Sequence, residues 1–333
     1  MDALADDRIL ITGATGFIGS ALTEYLEGRG LTVAGLSRSI PPDARARRFA
    51  VDLNDSDAVF AAVKAFRPTL CYHLAAHPDA AESHAHSTRV IGTNLMGTLN
   101  LLEALRREGP CRVVYGCSVK VYGNGHVPYV ADQAATPNSS YAVAKAAARE
   151  LIELYRRLYA VPSVTLRPTV VFGPGQPRNI FRVVAQKLAG GEVRMDLMGG
   201  QQTRSPVYVD DVLEAFALAG ERLAAGNALD GRTIPIGGDE ELAVVDLVKR
   251  MARLAGRPLV PVLIESDMRP TEIFRSAADN AEAARLLGWH PRTSLDEGLR
   301  ATLRAEGALP EDATAAPMAA AIPTPRFRGE TVR

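Results

Sequence analysis

The stretch RILITGATGFIG, residues 8–19, predicts a strand that runs straight into a glycine turn and then into a helix. Ile9 to Ile11 form the short apolar run typical of a strand that is covered on both faces. Glycine then recurs at every third position, and the helical segment that follows ends at Gly28 and Gly30. Such glycines let backbone N–H groups approach a pyrophosphate at the positive end of the helix, so the stretch indicates a dinucleotide site. The alternative for the bare motif is an ordinary tight turn.

The bulk composition excludes several classes of function. The chain has 333 residues with 38 basic and 38 acidic side chains, so it carries no net charge that would attract nucleic acid or an anionic membrane. The acidic start MDALADDR lacks the apolar core of a secretory signal, and no uncharged run reaches membrane-spanning length. Cys71, Cys111 and Cys117 lie in or beside apolar runs, which favours buried thiols over disulfides or a zinc site. We therefore expect a cytoplasmic protein with neither a nucleic-acid partner nor a membrane partner.

Apolar strand-like runs alternate with amphipathic helical segments through the first half of the chain. The runs are LTVAGL (31–36), TLCYHLAA (69–76), CRVVYGCS (111–118) and SVTLRP (163–168), and the helical segments are 56–66, 88–108 and 138–159. Because parallel strands need helical crossovers, the alternation predicts an α/β fold with a Rossmann-type doubly wound parallel sheet. Ligands of such sheets gather at the carboxyl ends of the strands, so residues that follow the apolar runs are the candidates for a site.

The pattern changes after Pro168, where a Gly/Pro-rich loop follows. TIPIGG (233–238) predicts one more strand, and helical patterns recur at 242–254, 279–287 and 295–305. We expect a dinucleotide-binding domain, a smaller C-terminal substrate-binding lobe and a loosely ordered tail. Their boundaries are 1–172 for the first domain, completed by about 207–238, then 173–206 and 239–308 for the lobe, and 309–333 for the tail.

The end of the second strand decides which cofactor the sequence favours. NAD sites usually place a carboxylate there for the ribose 2′-hydroxyl, but no acidic residue lies between Glu27 and Asp43. The strand instead ends in Ser37, Arg38 and Ser39, where the guanidinium can bind a 2′-phosphate and the hydroxyl of Ser37 or Ser39 can add a hydrogen bond. This favours NADP over NAD, unless Arg38 is a solvated side chain on a surface turn. Asp52 is a weaker candidate for the adenine edge, with a helix N-cap as the alternative.

Residues 138–149, NSSYAVAKAAAR, place Tyr141 one helical turn before Lys145. A neighbouring ammonium favours the phenolate of a tyrosine, which ordinarily titrates at about pH 10, and so brings proton transfer closer to neutral pH. Ser118 ends an apolar run, where its hydroxyl can polarise a substrate carbonyl. The Tyr-x-x-x-Lys spacing alone is common in helices, but its place after the glycine turn and the serine strand favours an acid–base pair.

Eight motifs together resemble the extended short-chain dehydrogenase/reductase family, the group of nucleotide-sugar epimerases, dehydratases and 4-ketoreductases. They are TGATGFIG (12–19), HLAA (73–76), GTNLMGTLNLLEA (92–104), CSVKVYGN (117–124), YAVAK (141–145), LRPTVVFGPGQ (166–176), TRSPVYVDDV (203–212) and LLGWHPRTSLDEGL (286–299). The resemblance covers nearly all of residues 8–305 and implies that Ser118, Tyr141 and Lys145 are catalytic. The cofactor contacts that it implies are Gly13, Thr15, Gly16, Phe17, Ile18, Gly19, Ser37, Arg38, Asp52, Leu53, Leu74, Ala75, Ala76, Asn94, Tyr141, Lys145 and Pro168.

The residues after the serine separate the members of this family. Sugar dehydratases carry an acidic pair there, whereas this chain has Val119 and Lys120, so dehydration is not expected. Together with Arg38, this favours NADPH-dependent reduction of a nucleotide-linked 4-keto-6-deoxyhexose, with Tyr141 as the proton donor. The alternatives are an NAD-dependent nucleotide-sugar epimerase, a reductase of a ketone or aldehyde without a nucleotide, and a non-catalytic protein that senses the cofactor.

The resemblance also implies a small-molecule substrate, a nucleoside-diphosphate sugar. Arg204 and Arg269 fall where relatives grip the diphosphate, unless each forms only a surface ion pair. Further substrate candidates near the active site are His77, Lys120, Gln176, Arg178 and Asn179. The chain departs from many relatives at Val170, where they have Asn, and at Ser205 and Pro206, where they have an Asp-aromatic pair.

Two side-chain clusters remain. The histidines that crowd one region are His73, His77, His84 and His86. No cysteine or carboxylate spacing supports a metal there, so we expect no metal and a loop over 77–86 near the substrate. The leucines that line one helical face are Leu95, Leu99, Leu102 and Leu105. Such a face suits a homodimer interface, which is common in this family, or packing against the sheet.

Overall fold

The computed structural model describes residues 2–40, 47–78, 82–177, 179–226, 229–264 and 269–310. Within these ranges the strands are β1 (Arg8–Thr12), β2 (Thr32–Ser37), β3 (Arg47–Ala50), β4 (Leu70–His73), β5 (Arg112–Gly116), β6 (Ser163–Pro168), β7 (Val171–Phe172), β8 (Arg194–Met198), β9 (Thr203–Arg204), β10 (Val207–Tyr208), β11 (Thr233–Ile236), β12 (Leu242–Ala243), β13 (Val260–Ile264) and β14 (Arg275–Ser276). The helices are α1 (Phe17–Gly28), α2 (Ser56–Phe66), α3 (His84–Ile91), α4 (Gly97–Glu108), α5 (Ser140–Tyr159), α6 (Ile180–Ala189), α7 (Val209–Ala224), α8 (Val244–Ala255), α9 (Ala281–Leu287) and α10 (Leu295–Ala305). None of these helices has the length and apolar character needed to span a membrane. The predicted tail lies almost wholly outside the described residues.

Seven of the strands form one sheet in the order β3, β2, β1, β4, β5, β6, β11, and each neighbouring pair is parallel. The prediction of a doubly wound Rossmann-type α/β fold is therefore confirmed. The strand order reverses at β1, because β2 and β4 lie on either side of it. In sheets of this kind, ligands bind at that point, beyond the carboxyl ends of the strands.

The sheet is covered on both faces because its strands are apolar on both faces. In β1, Ile9 and Ile11 are buried with side chains of α1 and α7, whereas Leu10 is buried with side chains of α2, α4 and α5. Each such aliphatic side chain contributes about 1.5–3 kcal/mol by leaving water. The three cysteines are buried and unbridged, as predicted: Cys71, Cys111 and Cys117.

A smaller lobe has an apolar core of its own. Phe181 of α6, Leu197 of β8, Val248 of α8 and Leu299 of α10 are buried together there. β8 pairs with β13, and β9 lies between β12 and β14. The lobe therefore draws its elements from two separate parts of the chain, before and after the last strand of the main sheet.

Asp211, in the first turn of α7, joins the lobe to the main sheet. Its two carboxylate oxygens accept the backbone N–H groups of Arg292 at 3.0 Å and Thr293 at 3.1 Å. Its carbonyl accepts the indole N–H of Trp289 at 2.8 Å. Because α10 begins two residues after Thr293, these bonds hold the start of α10, a helix of the lobe, against α7, a helix that packs on the main sheet.

One predicted helix, 88–108, begins earlier than expected and is not uniform. α3 starts at His84, because the Ser83 hydroxyl accepts the backbone N–H of His86 at 3.3 Å and so caps the helix. Part of the predicted histidine loop is therefore helical. A π-helical turn, Gly92–Met96, then joins α3 to α4 in one continuous rod.

Candidate active site

The glycine turn lies at the carboxyl end of β1. Gly13 has a φ of 72°, and a Cβ atom on it would lie 2.8 Å from the Cα of Ala75. A Cβ on Gly19 would lie 2.1 Å from the carbonyl oxygen of Gly13. Only glycine fits at these two positions, because the turn packs against α1 and against the loop after β4. Helix α1 follows Gly16 with no capping side chain among the described residues, so the N–H groups of its first turn suit an anion.

The end of β2 is tied to this turn. Thr15 donates its backbone N–H to the Ser37 hydroxyl at 3.1 Å. Arg38 follows directly and is exposed. Phe17 and Ile18 open α1 and are partly buried. The turn, the start of α1 and the end of β2, which the sequence offers as cofactor contacts, therefore lie together.

Asp52 lies after β3 and makes a turn of its own. Its carboxylate accepts the backbone N–H and the side-chain amide of Asn54, each at 2.9 Å. The helix N-cap that we considered for Asp52 belongs instead to Asp55. Leu53 is buried in the core beside this turn. Pro168 is the last residue of β6, at the same end of the sheet.

A buried histidine links the glycine turn to the helices behind it. His73 makes hydrogen bonds of 2.7 Å from Nδ1 to the Thr12 hydroxyl and of 2.8 Å from Nε2 to the Thr98 hydroxyl. Thr98 donates its own proton to the carbonyl of Asn94 at 2.8 Å, so Nε2 carries the proton and Nδ1 accepts from Thr12. The Thr12 oxygen in turn accepts the N–H of Ala75 at 3.2 Å. Burial lowers the pKa of His73 to about 3, with a nearby ammonium as the smaller cause, so the imidazole is neutral.

Asn94 lies in the π-helical turn and holds the loop after β4. Its side-chain oxygen accepts the backbone N–H of His77 at 2.7 Å, and its Nδ2 donates to the carbonyl of His77 at 3.2 Å. At the other end of the loop, Leu74 donates to the carbonyl of Thr12 at 3.3 Å. Residues 74–76 are thereby fixed between β1 and the π-helical turn, beside the glycines.

Ser118 and Tyr141 are brought together from two elements. Ser118 follows β5, and its hydroxyl accepts the backbone N–H of Lys120 at 3.2 Å at the start of a 3-10 turn. Tyr141 lies in the first turn of α5, where the Ser139 hydroxyl accepts the N–H of Ala142 at 3.2 Å and caps the helix. The side chain of Ser118 is close enough to that of Tyr141 to oppose the rise in the pKa of Tyr141. This arrangement can pass a proton to or from an oxygen bound beside both hydroxyls.

Lys145 lies one helical turn further on and is only 2% exposed. Its Nζ donates to the carbonyl of Gly116 at 2.7 Å and stands 4.8 Å from the centre of the Tyr115 ring. Burial lowers the pKa of Lys145 to about 8, and the neighbouring thiol of Cys117 opposes that change.

The expectation that Lys145 lowers the pKa of Tyr141 is wrong for this arrangement. Burial raises the pKa of Tyr141, Cys117 adds to the rise, and the neighbouring Ser118 side chain opposes it. The spacing correctly places both side chains on one helical face, but the ammonium is held by the carbonyl of Gly116.

A cavity of about 470 Å³ opens beside Ser118, whereas Tyr141 and Lys145 are not among its described lining residues. Its wall includes Ser118 and Lys120, and also the two predicted diphosphate residues, Arg204 and Arg269. Arg204 is ion-paired with Glu272 at 2.7 Å, and Glu272 lines the same cavity. The sequence analysis missed Glu272 because it lies 68 positions from Arg204 and outside the motifs that we quoted. The one available signal was an acid three residues after Arg269.

Other predicted substrate residues do not belong to the described lining of this cavity. Gln176 is buried and accepts from the Asn179 side chain at 2.8 Å, while Asn179 caps α6. His77 packs edge-on against His86, with ring centres 5.2 Å apart. Arg178 lies outside the described residues. Across the parts of the chain that the structure describes, no three His, Cys, Asp or Glu side chains form a group that could hold a metal ion.

The chain is similar to known proteins in both sequence and structure. The model of the NAD dependent epimerase/dehydratase family matches residues 9–237. The UDP-glucose 4-epimerase of Mycolicibacterium smegmatis is 31% identical over 312 residues, which cover 89% of this chain and 97% of that protein. The structure of UDP-glucose 4-epimerase from Thermus thermophilus in complex with NAD has a TM-score of 0.79 at 30% identity, covering 90% of this chain and 98% of that one. UDP-glucuronic acid 4-epimerase from Bacillus cereus, solved with UDP-glucuronic acid and NAD, has a TM-score of 0.81 at 26% identity, with coverage of 90% and 98%.

Proposed function

Because the chain belongs to the NAD-dependent epimerase/dehydratase family, within the extended short-chain dehydrogenase/reductases that its motifs resemble, we propose that it is an NAD-dependent 4-epimerase of a nucleoside-diphosphate sugar. The observation that carries the proposal is the approach of Tyr141 to Ser118, which shares the wall of one cavity with Arg204 and Arg269. The relatives favour this alternative over the NADPH-dependent reduction of a 4-keto-6-deoxyhexose that Arg38 indicated. Reduction of a ketone without a nucleotide would make no use of the two guanidinium groups of the cavity, of which Arg204 is ion-paired with Glu272.

The residues at the end of β1 fit a dinucleotide. The space over Gly13 and Gly19 admits no side chain, and α1 begins there with no capping side chain among the described residues. This combination of a bare turn and a positive helix end suits a pyrophosphate. The residues that would hold the cofactor are those of the turn together with Ser37, Asp52, 74–76 and Lys145. When bound, NAD supplies the acceptor that takes a hydride from the carbinol carbon and returns it to the opposite face.

The chain's own residues supply the proton transfer. Tyr141, as the phenolate, takes the proton of the sugar hydroxyl during oxidation and, as the phenol, returns it during reduction, so protons balance over one turnover. Without the sugar, Ser118 lowers the pKa of Tyr141 against the effect of burial. With the sugar bound, its single hydroxyl proton is donated to the sugar oxygen instead. Lys145 is mostly an ammonium at neutral pH, because its pKa is about 8. Val119 and Lys120 supply no acid for dehydration, which supports epimerisation over water loss.

The expected activity is conversion of UDP-glucose to UDP-galactose with no net consumption of NAD. Chromatography of the sugar nucleotides measures this conversion. Tyr141→Phe should lower turnover by about 100-fold or more. Tyr155→Phe is the matched control, because Tyr155 lies on the same helix and bonds to Glu103 at 3.2 Å, away from the cavity. If the protein forms no C4 epimer of UDP-glucose or UDP-glucuronate, and instead consumes one NADPH for each nucleotide-linked 4-ketosugar, the reductase assignment replaces ours.

The preference between NAD and NADP has its own test. The relatives solved with NAD support NAD for this chain, whereas Arg38, exposed beside Ser37, supports NADP. Thermal unfolding with each cofactor, in the wild type and in Arg38→Ala, separates the two. We expect a larger rise in Tm with NAD and no effect of Arg38→Ala on it. A rise with NADP that disappears in Arg38→Ala would reverse the choice.

The assembly and the division into domains are part of the same proposal. Leu102 and Leu105 are buried in the core, so packing against the sheet explains most of the leucine face. A homodimer is supported instead by apolar side chains exposed on α3, the π-helical turn and α5. They are Ile91, Met96, Val143 and Leu158. We assign cofactor binding to the main sheet and substrate binding to the lobe. The lobe supplies Arg204 and Arg269 to the wall of the cavity.

A further inference from the structure

Asn124 ties the turn that follows Ser118 to a segment of the lobe, residues 269–279. It lies shortly after the 3-10 turn Val119–Tyr122, on the side of the main sheet. Its Nδ2 donates to the carbonyl of Glu272 at 2.9 Å, and its Oδ1 accepts the backbone N–H of Phe274 at 2.8 Å. One side-chain amide therefore holds the backbone of the lobe segment at two points.

The part of the lobe segment that Asn124 holds also forms a wall of the cavity. The lining residues in this segment are Arg269, Thr271, Glu272, Ile273 and Ser276. The carboxylate of Glu272 accepts from Arg204 at 2.7 Å, and Arg204 also donates to the carbonyl of Thr203 at 2.7 Å. These two contacts fix the guanidinium and leave its other N–H groups for an anion. The position of Glu272 therefore sets where the charge of Arg204 lies in the cavity.

Tyr129 holds the far end of the same segment independently of Asn124. Its backbone N–H donates to the carbonyl of Ala277 at 2.8 Å, and its carbonyl accepts the N–H of Asp279 at 2.9 Å. Its buried hydroxyl donates to the carbonyl of Gly123 at 2.7 Å. These bonds keep residues 277–279 in place without Asn124. Loss of the Asn124 amide should therefore loosen the part of the segment that lines the cavity and leave the join between sheet and lobe intact.

We propose that Asn124 is a positioning residue for the nucleotide part of the substrate, which it places by holding Glu272 and, through Glu272, Arg204. This inference rests on the proposed epimerase function and adds a residue to its machinery. Asn124 is not among the described lining residues of the cavity, so it acts through the segment that it binds. Ser118 comes from the main sheet and the two arginines from the lobe. A sugar nucleotide that reaches from one to the other is therefore bound well only while the two parts keep a fixed spacing.

The experiment measures the Kd of UDP by calorimetry in the NAD-loaded wild type and in Asn124→Ala, and then kcat and KM with UDP-glucose. We expect Asn124→Ala to raise both the Kd of UDP and the KM by about 10-fold, because two hydrogen bonds that place the binding groups are lost. The kcat should stay nearly unchanged, since Ser118 and Tyr141 are untouched. The rise in Tm with NAD should also persist, which shows that the variant folds and keeps its cofactor site.

Asn280→Ala is the matched control. The Asn280 side chain makes the same pair of bonds to backbone, because it accepts the N–H of Gly237 and donates to the carbonyl of Gly237, each at 3.0 Å. Neither residue is among the described lining residues of the cavity. This control should leave the Kd of UDP and the KM unchanged.

The outcomes separate this inference from the proposed function. If Asn124→Ala leaves the Kd of UDP and the KM unchanged, or lowers kcat alone, the inference fails while the epimerase proposal stands. Equal weakening of UDP binding in Asn124→Ala and Asn280→Ala would show a general loosening of the fold and would also overturn the inference. If UDP binding depends on Asn124 but no sugar nucleotide is epimerised, the proposed function fails and the positioning role remains. If the wild type binds no UDP, both fail.

Discussion

Replacing Lys145 by Met should make the protein more stable at neutral pH while removing its activity. Lys145 is 2% exposed, and burial lowers its pKa from the usual 10.5 to about 8. Protonating it in the folded protein therefore costs about 3 kcal/mol more than in the unfolded chain. Between these two pKa values the unfolded chain holds the proton and the folded protein does not, so the free energy of unfolding rises with pH across this window.

The magnitude follows from these values. Methionine has a similar shape but no charge, so Lys145→Met removes the cost of about 3 kcal/mol at pH 7 and loses the hydrogen bond to Gly116, worth about 1 kcal/mol. The variant should exceed the wild type by about 2 kcal/mol in free energy of unfolding at pH 7. At pH 10 the wild type no longer carries most of this cost, so the difference should fall to about zero.

Urea unfolding followed by circular dichroism at both pH values measures this difference. Lys249→Met is the matched control, because this lysine is largely exposed and its removal should give the same small difference at pH 7 and pH 10. The reasoning is refuted if the difference between Lys145→Met and the wild type does not depend on pH, or if it grows between pH 7 and pH 10.

Three further predictions concern the cofactor edge and the joint with the lobe. Gly19→Ala should destabilise the fold by about 1–3 kcal/mol and abolish the rise in Tm with NAD, because its Cβ would lie 2.1 Å from a carbonyl oxygen; Gly28→Ala, with open space around it, should do neither. Asn94→Ala should cost about 1–3 kcal/mol and raise the Kd for NAD in calorimetry, because both hydrogen bonds to the backbone of His77 are lost; an unchanged Kd would contradict it. Asp211→Asn should lower the Tm by the equivalent of about 1–3 kcal/mol, since one of its two acceptor oxygens becomes a donor; an unchanged Tm would show that the joint is dispensable.

The sequence predicts the main sheet well because its strands are short apolar runs that alternate with amphipathic helices. It predicts α2 over 56–66 to the residue, since a capping Asp55 and a following Pro68 mark both ends. The glycine turn can also be predicted from the sequence, because the contacts that require glycine are mostly local. Gly16 and Gly19 pack against Gly13, and Gly13 packs against the loop at Ala75.

The arrangements that sequence reasoning missed depend on contacts between distant parts of the chain. Helical spacing places Tyr141 and Lys145 on one face, but the carbonyl of Gly116 decides where the ammonium points. The pairing of Arg204 with Glu272 joins residues far apart in the chain, so no local pattern reveals it. The early start of α3 was hidden because its first residues are polar and resemble a loop.

The π-helical turn in the rod from α3 to α4 makes the number of residues there as important as their identity. Each residue of an α-helix advances the next by about 100°, and a π-helical turn holds one residue more than a regular turn. Deleting any single position within 92–96 other than 94 would let the rod close into a regular helix, with α3 and α4 on nearly their present faces because both kinds of turn complete one rotation. The residues of the turn itself would be rearranged, so the side-chain amide that holds the backbone of residue 77 would face a new direction although that group had not been lost. Single-residue deletions in this segment should therefore be more damaging than most substitutions in it.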